Sequence, residues 1–265
     1  MNKKRFEDLC GMTQKKLKTE LHRELMKIYD EVYYGDGYLY AQGTVPILLV
    51  AHMDTVHKNT PVLFVYDNDG DKISSPQGIG GDDRCGIYAV MEIVKRYNCS
   101  VLFAEDEESG CIGAGKFVKT ELAKELEFNY IIELDRKGNK DAVFYECDNH
   151  EFEEFITESG DWETDWGSFT DICTLAPAFG CAAVNLSCGY YGAHTLSEYV
   201  ILSELDECIE KTCRLIEKTT SEDKFEYIEA QYTSKYGSYY GGSSKYYAYG
   251  DFSDEEFEYG LYEIR

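Results

Sequence analysis

No apolar run in the chain approaches the roughly 20 residues that a helix needs to cross a bilayer. Met1 to Leu25 is studded with Lys, Arg and Glu and has no apolar core of the signal-peptide kind. Basic residues are scarce: 26 Lys and Arg stand against 50 Asp and Glu, a net charge of -24, which argues against nucleic acid or an anionic membrane as partner. The ten cysteines form no Cys-x-x-Cys pair and lack the density of a disulfide scaffold, so they read as mostly buried small hydrophobes in a reducing cytoplasm. Cys208 and Cys213, five apart on an expected helix, share no face well enough to make a site. The 265 residues suffice for one sizeable domain with a proper core, or for two small ones.

Periodicity then places the elements. Leu17, Leu21, Leu25 and Ile28 recur at helical spacing over Thr13 to Tyr29, an amphipathic surface helix. Val32-Tyr33-Tyr34 and Tyr38-Leu39-Tyr40 flank Gly35-Asp36-Gly37, a hairpin signature. Ile47 to Ala51 is a short continuous apolar run, as in a strand buried on both faces, and it ends directly at His52-Met53-Asp54. Pro61 to Tyr66 reads as a strand and Asp67 to Asp71 as the turn after it; the turn lacks the closing Glu and the flanking helices of an EF-hand. A helix is expected from the Gly/Asp loop to about Tyr97, with Ile87, Val90, Met91 and Val94 on one face. Ser100 to Ala104 delivers Glu105 to Glu108, a helix with Phe117, Val118, Leu122 and Leu126 follows, and Tyr130-Ile131-Ile132 leads to Asp135. Ala142 to Tyr145 and Cys181 to Leu186 are strand candidates, the second running into a Gly- and Tyr-rich stretch and His194, and a closing helix runs from Leu202 to about Lys218.

Strands alternating with helices indicate an α/β layered domain over residues 1–220. In that class, sites collect outside the carboxyl ends of the strands, where His52, Glu107 with Glu108, Asp135 and His194 would fall. Residues 221–265 change character to a Tyr/Gly/Ser-rich, then acidic tail with no sustained apolar period, expected to be flexible.

The chemistry centres on Gly78 to Gly86, Gly-Ile-Gly-Gly-Asp-Asp-Arg-Cys-Gly, two adjacent acids behind a run of glycines and just ahead of a helix. Alone, that is as well explained by an acidic helix start. Histidine and carboxylate ligands, however, suit zinc and its first-row neighbours, and two such ions about 3.5 to 4 Å apart are a recurrent hydrolytic device. The chain offers Asp82 as a bridge, His52 with Asp135 for one ion, and Glu108 with His194 for the other. Asp54 could accept the second N–H of His52, and Glu107 could take a proton from the attacking water. His57 and His150 carry no assigned role.

Taken together, Ala51-His52-Met53-Asp54-Thr55-Val56, Gly81-Asp82-Asp83, Asp106-Glu107-Glu108-Ser109-Gly110 through Gly113-Ala114, Asp135, and Gly192-Ala193-His194-Thr195 with Glu198 follow one order. In that order the chain, over about residues 45 to 218, resembles the co-catalytic zinc exopeptidases. That superfamily includes peptidase T, the carboxypeptidase G and acetylornithine deacetylase relatives, and the bacterial leucyl aminopeptidases. The resemblance implies the ligand and acid/base roles above, two zinc ions (with cobalt or manganese as substitutes), and often a cis peptide after the bridging Asp, here Asp82-Asp83. It also implies a three-layer α/β/α fold with a mixed, mostly parallel central sheet of the phosphorylase/hydrolase-like kind. Peptidase T and its close relatives insert a lid and dimerisation domain between the last Asp ligand and the last His. Only about 58 residues separate Asp135 from His194 here, so a compact single domain without that lid is expected, as in the leucyl aminopeptidases. The lid's contribution to the transition state must then come from elsewhere: Tyr190 and Tyr191 are candidate oxyanion donors, or ordinary loop aromatics, and Asp171 is a candidate neighbour of the substrate amine.

The function implied is an exopeptidase on short peptides, most specifically an aminopeptidase. The same centre would serve an amidohydrolase or deacylase acting on acylated amino acids. A reading from another class is a catalytically silent binding protein working through its tail. No residue names an oligomeric partner.

Overall fold

The computed structural model describes residues 1–231, and these form one compact unit. Its centre is an eight-stranded sheet in the order β1-β2-β6-β3-β7-β10-β8-β9. The strands are β1 (Val32–Tyr34), β2 (Tyr38–Ala41), β3 (Val45–His52), β6 (Cys99–Ala104), β7 (Tyr130–Arg136), β8 (Asp141–Val143), β9 (Glu163–Thr164) and β10 (Ala183–Ser187). β6, β3, β7 and β10 run parallel, and β2 on one side and β8 on the other are antiparallel to their neighbours, so the sheet is mixed and mostly parallel. A smaller antiparallel sheet, β11-β12-β5-β4, is built from β4 (Val65–Tyr66), β5 (Lys72–Ser74), β11 (Tyr190–Tyr191) and β12 (Tyr199–Ile201).

β3 shows why the apolar runs have no polar alternation. Ile47, Leu49 and Ala51 enter one hydrophobic cluster, and Leu48 and Val50 enter another on the opposite face. The first face is covered by α1 (Lys3–Cys10), α3 (Gly81–Ile93), α5 (His150–Gly160) and α7 (Leu202–Lys218). The second is covered by α4 (Ile112–Phe117) and α6 (Ile172–Phe179). That is the three-layer α/β/α arrangement. Between Asp135 and His194 the chain adds β8, β9 and β10 to the same sheet and α5 and α6 to its faces, so no lid or dimerisation domain is inserted.

The hairpin, the closing helix and α2 (Gln14–Leu25) stand where periodicity puts them, and Thr13 caps α2 by accepting the N–H of Lys16. Three expectations are corrected. Of the strand at Pro61 to Tyr66 only Val65–Tyr66 pairs, because Val62 and Leu63 face solvent and their N–H groups go to the Gln77 side chain. The helix expected to reach Leu126 stops at Phe117, and its last apolar positions, Leu122 and Leu126, flank a 3-10 turn at Ala123–Glu125. Residues 221–231, placed with the tail, pack on the domain. Phe225 lies 5.1 Å from the Phe152 ring, and backbone bonds run from Ala182 N–H to Phe225 O and from Ala230 N–H to Glu146 O. The remainder of the expected tail lies outside the described residues.

Nine of the ten cysteines are buried, as expected of small hydrophobes. Among the described residues no helix is long and apolar enough to cross a membrane.

One buried cation ties the N-terminal helices to the sheet edge. Arg84, 3% exposed, donates to the carbonyl oxygens of Leu9 (3.2 Å), Met12 (3.3 Å) and Met53 (2.7 Å). Arg84→Met would keep the apolar stem and strand those acceptors. The expected loss is about 3 kcal/mol of stability or more, read as a fall of about 6–12 °C in thermal midpoint for a domain this size.

Candidate metal centre

The strand ends bring the chemistry together. His52 closes β3, Asp135 lies near the end of β7, Glu107 and Glu108 follow β6, and His194 follows β11. Asp82 sits at the start of α3, where the helix is irregular and the Asp82-Asp83 peptide is cis. Its carboxylate stands between two imidazoles: Oδ1 is 3.0 Å from Nε2 of His52, and Oδ2 is 3.2 Å from Nε2 of His194. His52 Nε2 also lies 3.6 Å from Asp135 Oδ1, and His194 Nε2 lies 3.1 Å from Glu108 Oε2. Two donor groups result, His52-Asp82-Asp135 and Asp82-Glu108-His194, each with its ligand atoms within 4.8 Å of one another.

Further carboxylates support these donors. Asp54 Oδ1 lies 3.2 Å from Nδ1 of His52 and also accepts the N–H of Glu107, while its Oδ2 accepts the N–H of Glu108. Asp83, fully buried, accepts the N–H groups of His52 and Gly86. The adjacent acids therefore divide the work: Asp83 is the helix-start acid, and Asp82 turns to the histidines. Asn185 on β10 holds both backbone groups of Asp135, and Thr170 Oγ1 donates to Glu133 at 2.8 Å and lies 3.4 Å from Asp135 Oδ2.

Burial sets the protonation of the metal-free cluster. It pushes Glu107 up to about 8, helped by the charges of Asp135, Asp171 and Glu108, and raises Asp135 to about 6 and Asp171 to about 7. Burial pulls the other way on His52, but the Asp135 charge and its carboxylate hydrogen bonds outweigh it and raise the group well above its ordinary value. Hydrogen bonds to Asp82 and Glu108 lift His194 to about 11. Burial also acts to raise Asp82, yet the hydrogen bonds from His194 and His52 hold it below the usual carboxylate range.

Solved structures supply the comparison. An aminopeptidase PepT from Bacillus cereus superposes with a TM-score of 0.66 at 15% identity, covering 81% of this chain and 96% of that one. A tripeptidase from Staphylococcus aureus gives 0.66 at 14%, covering 80% and 95%, and an aminopeptidase from the archaeon Desulfurococcus kamchatkensis gives 0.63 at 14%, covering 83% and 95%. The chain shares the fold of these aminopeptidases. No protein-family model and no curated protein sequence matches it.

On this aminopeptidase fold the donor set fits divalent ions. Two ligands about 2.0–2.1 Å from a tetrahedral zinc stand roughly 3.3 Å apart, and the separations here are 3.0 and 3.6 Å in one group and 3.2 and 3.1 Å in the other. Buried Glu108 Oε1 has no hydrogen-bond partner among the described residues, an acceptor left for a cation. Beside the donors opens a cavity of ≈ 430 Å³ whose walls include Glu107, Lys137, Tyr145, Phe169, Tyr190 and Gly192.

Two secondary candidates are corrected. Tyr191 turns away from the cavity and donates to Glu204, whereas Tyr190 stays, its OH 3.2 Å from Asp135 Oδ1. Asp171 is wholly buried behind the wall with both carboxylate oxygens unpartnered among the described residues, and it does not line the cavity. Residues whose part was not read from the sequence are Asp83, Thr170, Asn185 and the pair His57 and Glu198. Asp83 and Glu198 stood in the quoted motifs without a role, and Asn185 had a signal as a lone amide inside an apolar strand run.

The raised values carry a stability prediction. Buried carboxyls hold protons that the unfolded chain releases near pH 4, so their burial destabilises the fold increasingly as pH rises through about 6 to 8. His194 adds stability that is complete below about 6.5 and is lost as pH rises through about 11. Both signs agree, so the thermal midpoint of chelator-treated protein is expected to fall from pH 6 to pH 9. Added zinc replaces those protons and should raise the midpoint most at the upper end. A chelated midpoint that is flat or rising would contradict the assignment.

Proposed function

We propose that this chain is a two-metal exopeptidase that removes a residue from short peptides, most specifically an aminopeptidase, working in a reducing compartment. The observation that carries the reading is the Asp82 carboxylate, whose two oxygens face His52 on one side and His194 on the other. Its donor set is His52, Asp82 and Asp135 for one ion and Asp82, Glu108 and His194 for the second. Two zinc ions there, or cobalt or manganese, would supply the Lewis acidity that makes water nucleophilic near neutral pH and polarises the scissile carbonyl.

The chain's own groups do the rest. Glu107, its backbone fixed by Asp54, takes the proton of the attacking water and returns it to the leaving nitrogen. Burial raises this carboxyl in the metal-free cluster, and cations beside it would lower it again, toward a range in which one group can both accept and return a proton. Asp54 keeps His52 in the tautomer that leaves Nε2 free as a donor. Tyr190 orients Asp135 from the cavity side, and the ≈ 430 Å³ space beside the donors has room for the end of a peptide.

The test is metal content of freshly purified protein together with hydrolysis of a mixed panel of short peptides and acyl-amino acids. About two ions per chain with release of N-terminal residues is expected. Turnover of acyl-amino acids alone would move the assignment to an amidohydrolase. Protein that stays inert and metal-free after zinc or cobalt is added would overturn the enzyme reading.

A further inference from the structure

Glu198 is fully buried, is not among the ligand donors, and sits four residues after His194. Its carboxylate takes three donors. Oε2 accepts the N–H of Gly80 at 2.9 Å and lies 2.9 Å from Nε2 of His57, while Oε1 accepts the N–H of Asp82 at 3.0 Å. The N–H groups of the two residues that flank Gly81 are therefore held by one side chain. The turn has no slack around this grip: a Cβ on Gly81 would come within 2.8 Å of Val200 Cγ2 and 2.9 Å of Tyr190 Cβ, and a Cβ on Gly78 would strike the His57 ring at 2.3 Å. The Glu198 N–H in turn bonds to Thr195 O at 3.2 Å, which ties the grip to the loop that carries His194.

We infer that Glu198, oriented by His57, is a positioning residue that sets the Asp82 carboxylate at its place between His52 and His194, and so sets the spacing of the two metal positions. The inference rests on the two-metal reading above. A carboxylate is the side chain that does this, because it only accepts and has lone pairs for all three donors. Glutamine keeps the shape but turns an NH₂ toward a donor, so one N–H loses its acceptor and the turn must shift. Asp82 holds its side chain toward two imidazoles at once, so a shift of its backbone misplaces both oxygens.

The experiment is cobalt titration of the full-length, metal-free chain, followed by visible absorption, for wild type, Glu198→Gln, His57→Ala and His57→Gln. Wild type is expected to take up cobalt with a d–d band that reports ligand geometry. Glu198→Gln should weaken uptake by about 10- to 100-fold, the range seen when an outer-sphere partner is lost, and alter the band. His57→Ala should do the same to a smaller extent, and His57→Gln, which can still donate, should stay near wild type. A purely structural role would lower the melting temperature of metal-free Glu198→Gln while leaving cobalt affinity and spectrum of the folded protein unchanged; that result overturns the inference. Should Glu198→Gln fail to fold, His57→Ala decides, and wild-type cobalt binding in it overturns the inference equally. Wild type that takes up no cobalt removes the two-metal reading itself, and this inference with it.

Discussion

Glu107→Gln is expected to lower kcat by about 10²- to 10⁴-fold while the protein keeps its full complement of metal. The amide matches the carboxyl in volume, so the buried wall that it shares with Cys111, whose Sγ is 3.6 Å from Oε1, is undisturbed. The backbone N–H of residue 107 stays on Asp54, and Glu108, the neighbouring donor, is held by the other oxygen of the same aspartate. On the proposed mechanism, what is lost is the group that takes a proton and returns it. A change in KM without a change in kcat would show that Glu107 binds substrate and does not move a proton. Loss of metal in step with activity would place it among the ligands. Measuring metal stoichiometry and steady-state kinetics on one preparation separates the three outcomes.

Asp82→Ala is expected to have the largest effect on metal. Each of the other donors belongs to one group, whereas Asp82 belongs to both. Removing its carboxylate takes a ligand from each position and leaves His52 and His194 without the anion that lies 3.0 and 3.2 Å from them. Both ions should be lost at ordinary concentrations, activity should fall below detection, and the stabilisation by added zinc at high pH should vanish with it. His194→Ala provides the contrast, since it removes a ligand from one group only, on a side chain 56% exposed to solvent. One retained ion per chain is the expected result there, and two retained ions in Asp82→Ala would refute the bridging role.

Much of the fold was legible because burial writes itself into local sequence. A strand covered on both faces must be apolar at every position, so Ile47 to Ala51 and Tyr130 to Ile132 announced themselves, as did the polar residues at which those runs end. The shorter helices were not legible. α1 and α6 have eight residues each, too few for a period to emerge, and α6 also carries Pro177. α5 buries only Phe152, Ile156 and Gly160 among acids that obscure its stripe.

For the centre itself, sequence determined the inventory: which carboxylates and histidines close which strands, and that zinc-type chemistry suits them. Tertiary structure alone decided how they divide. Asp82 and Asp83 are adjacent and chemically identical, yet one turns to His52 and His194 while the other serves His52 and Gly86 N–H groups. Tyr190 and Tyr191 are likewise adjacent, and only Tyr190 faces Asp135. Glu198 reaches Gly80 across a separation of 118 residues, and its partner His57 across 141. The physical reason is that periodicity records the environment along one element, whereas a hydrogen bond between elements depends on where each backbone has been carried by the packing of the rest.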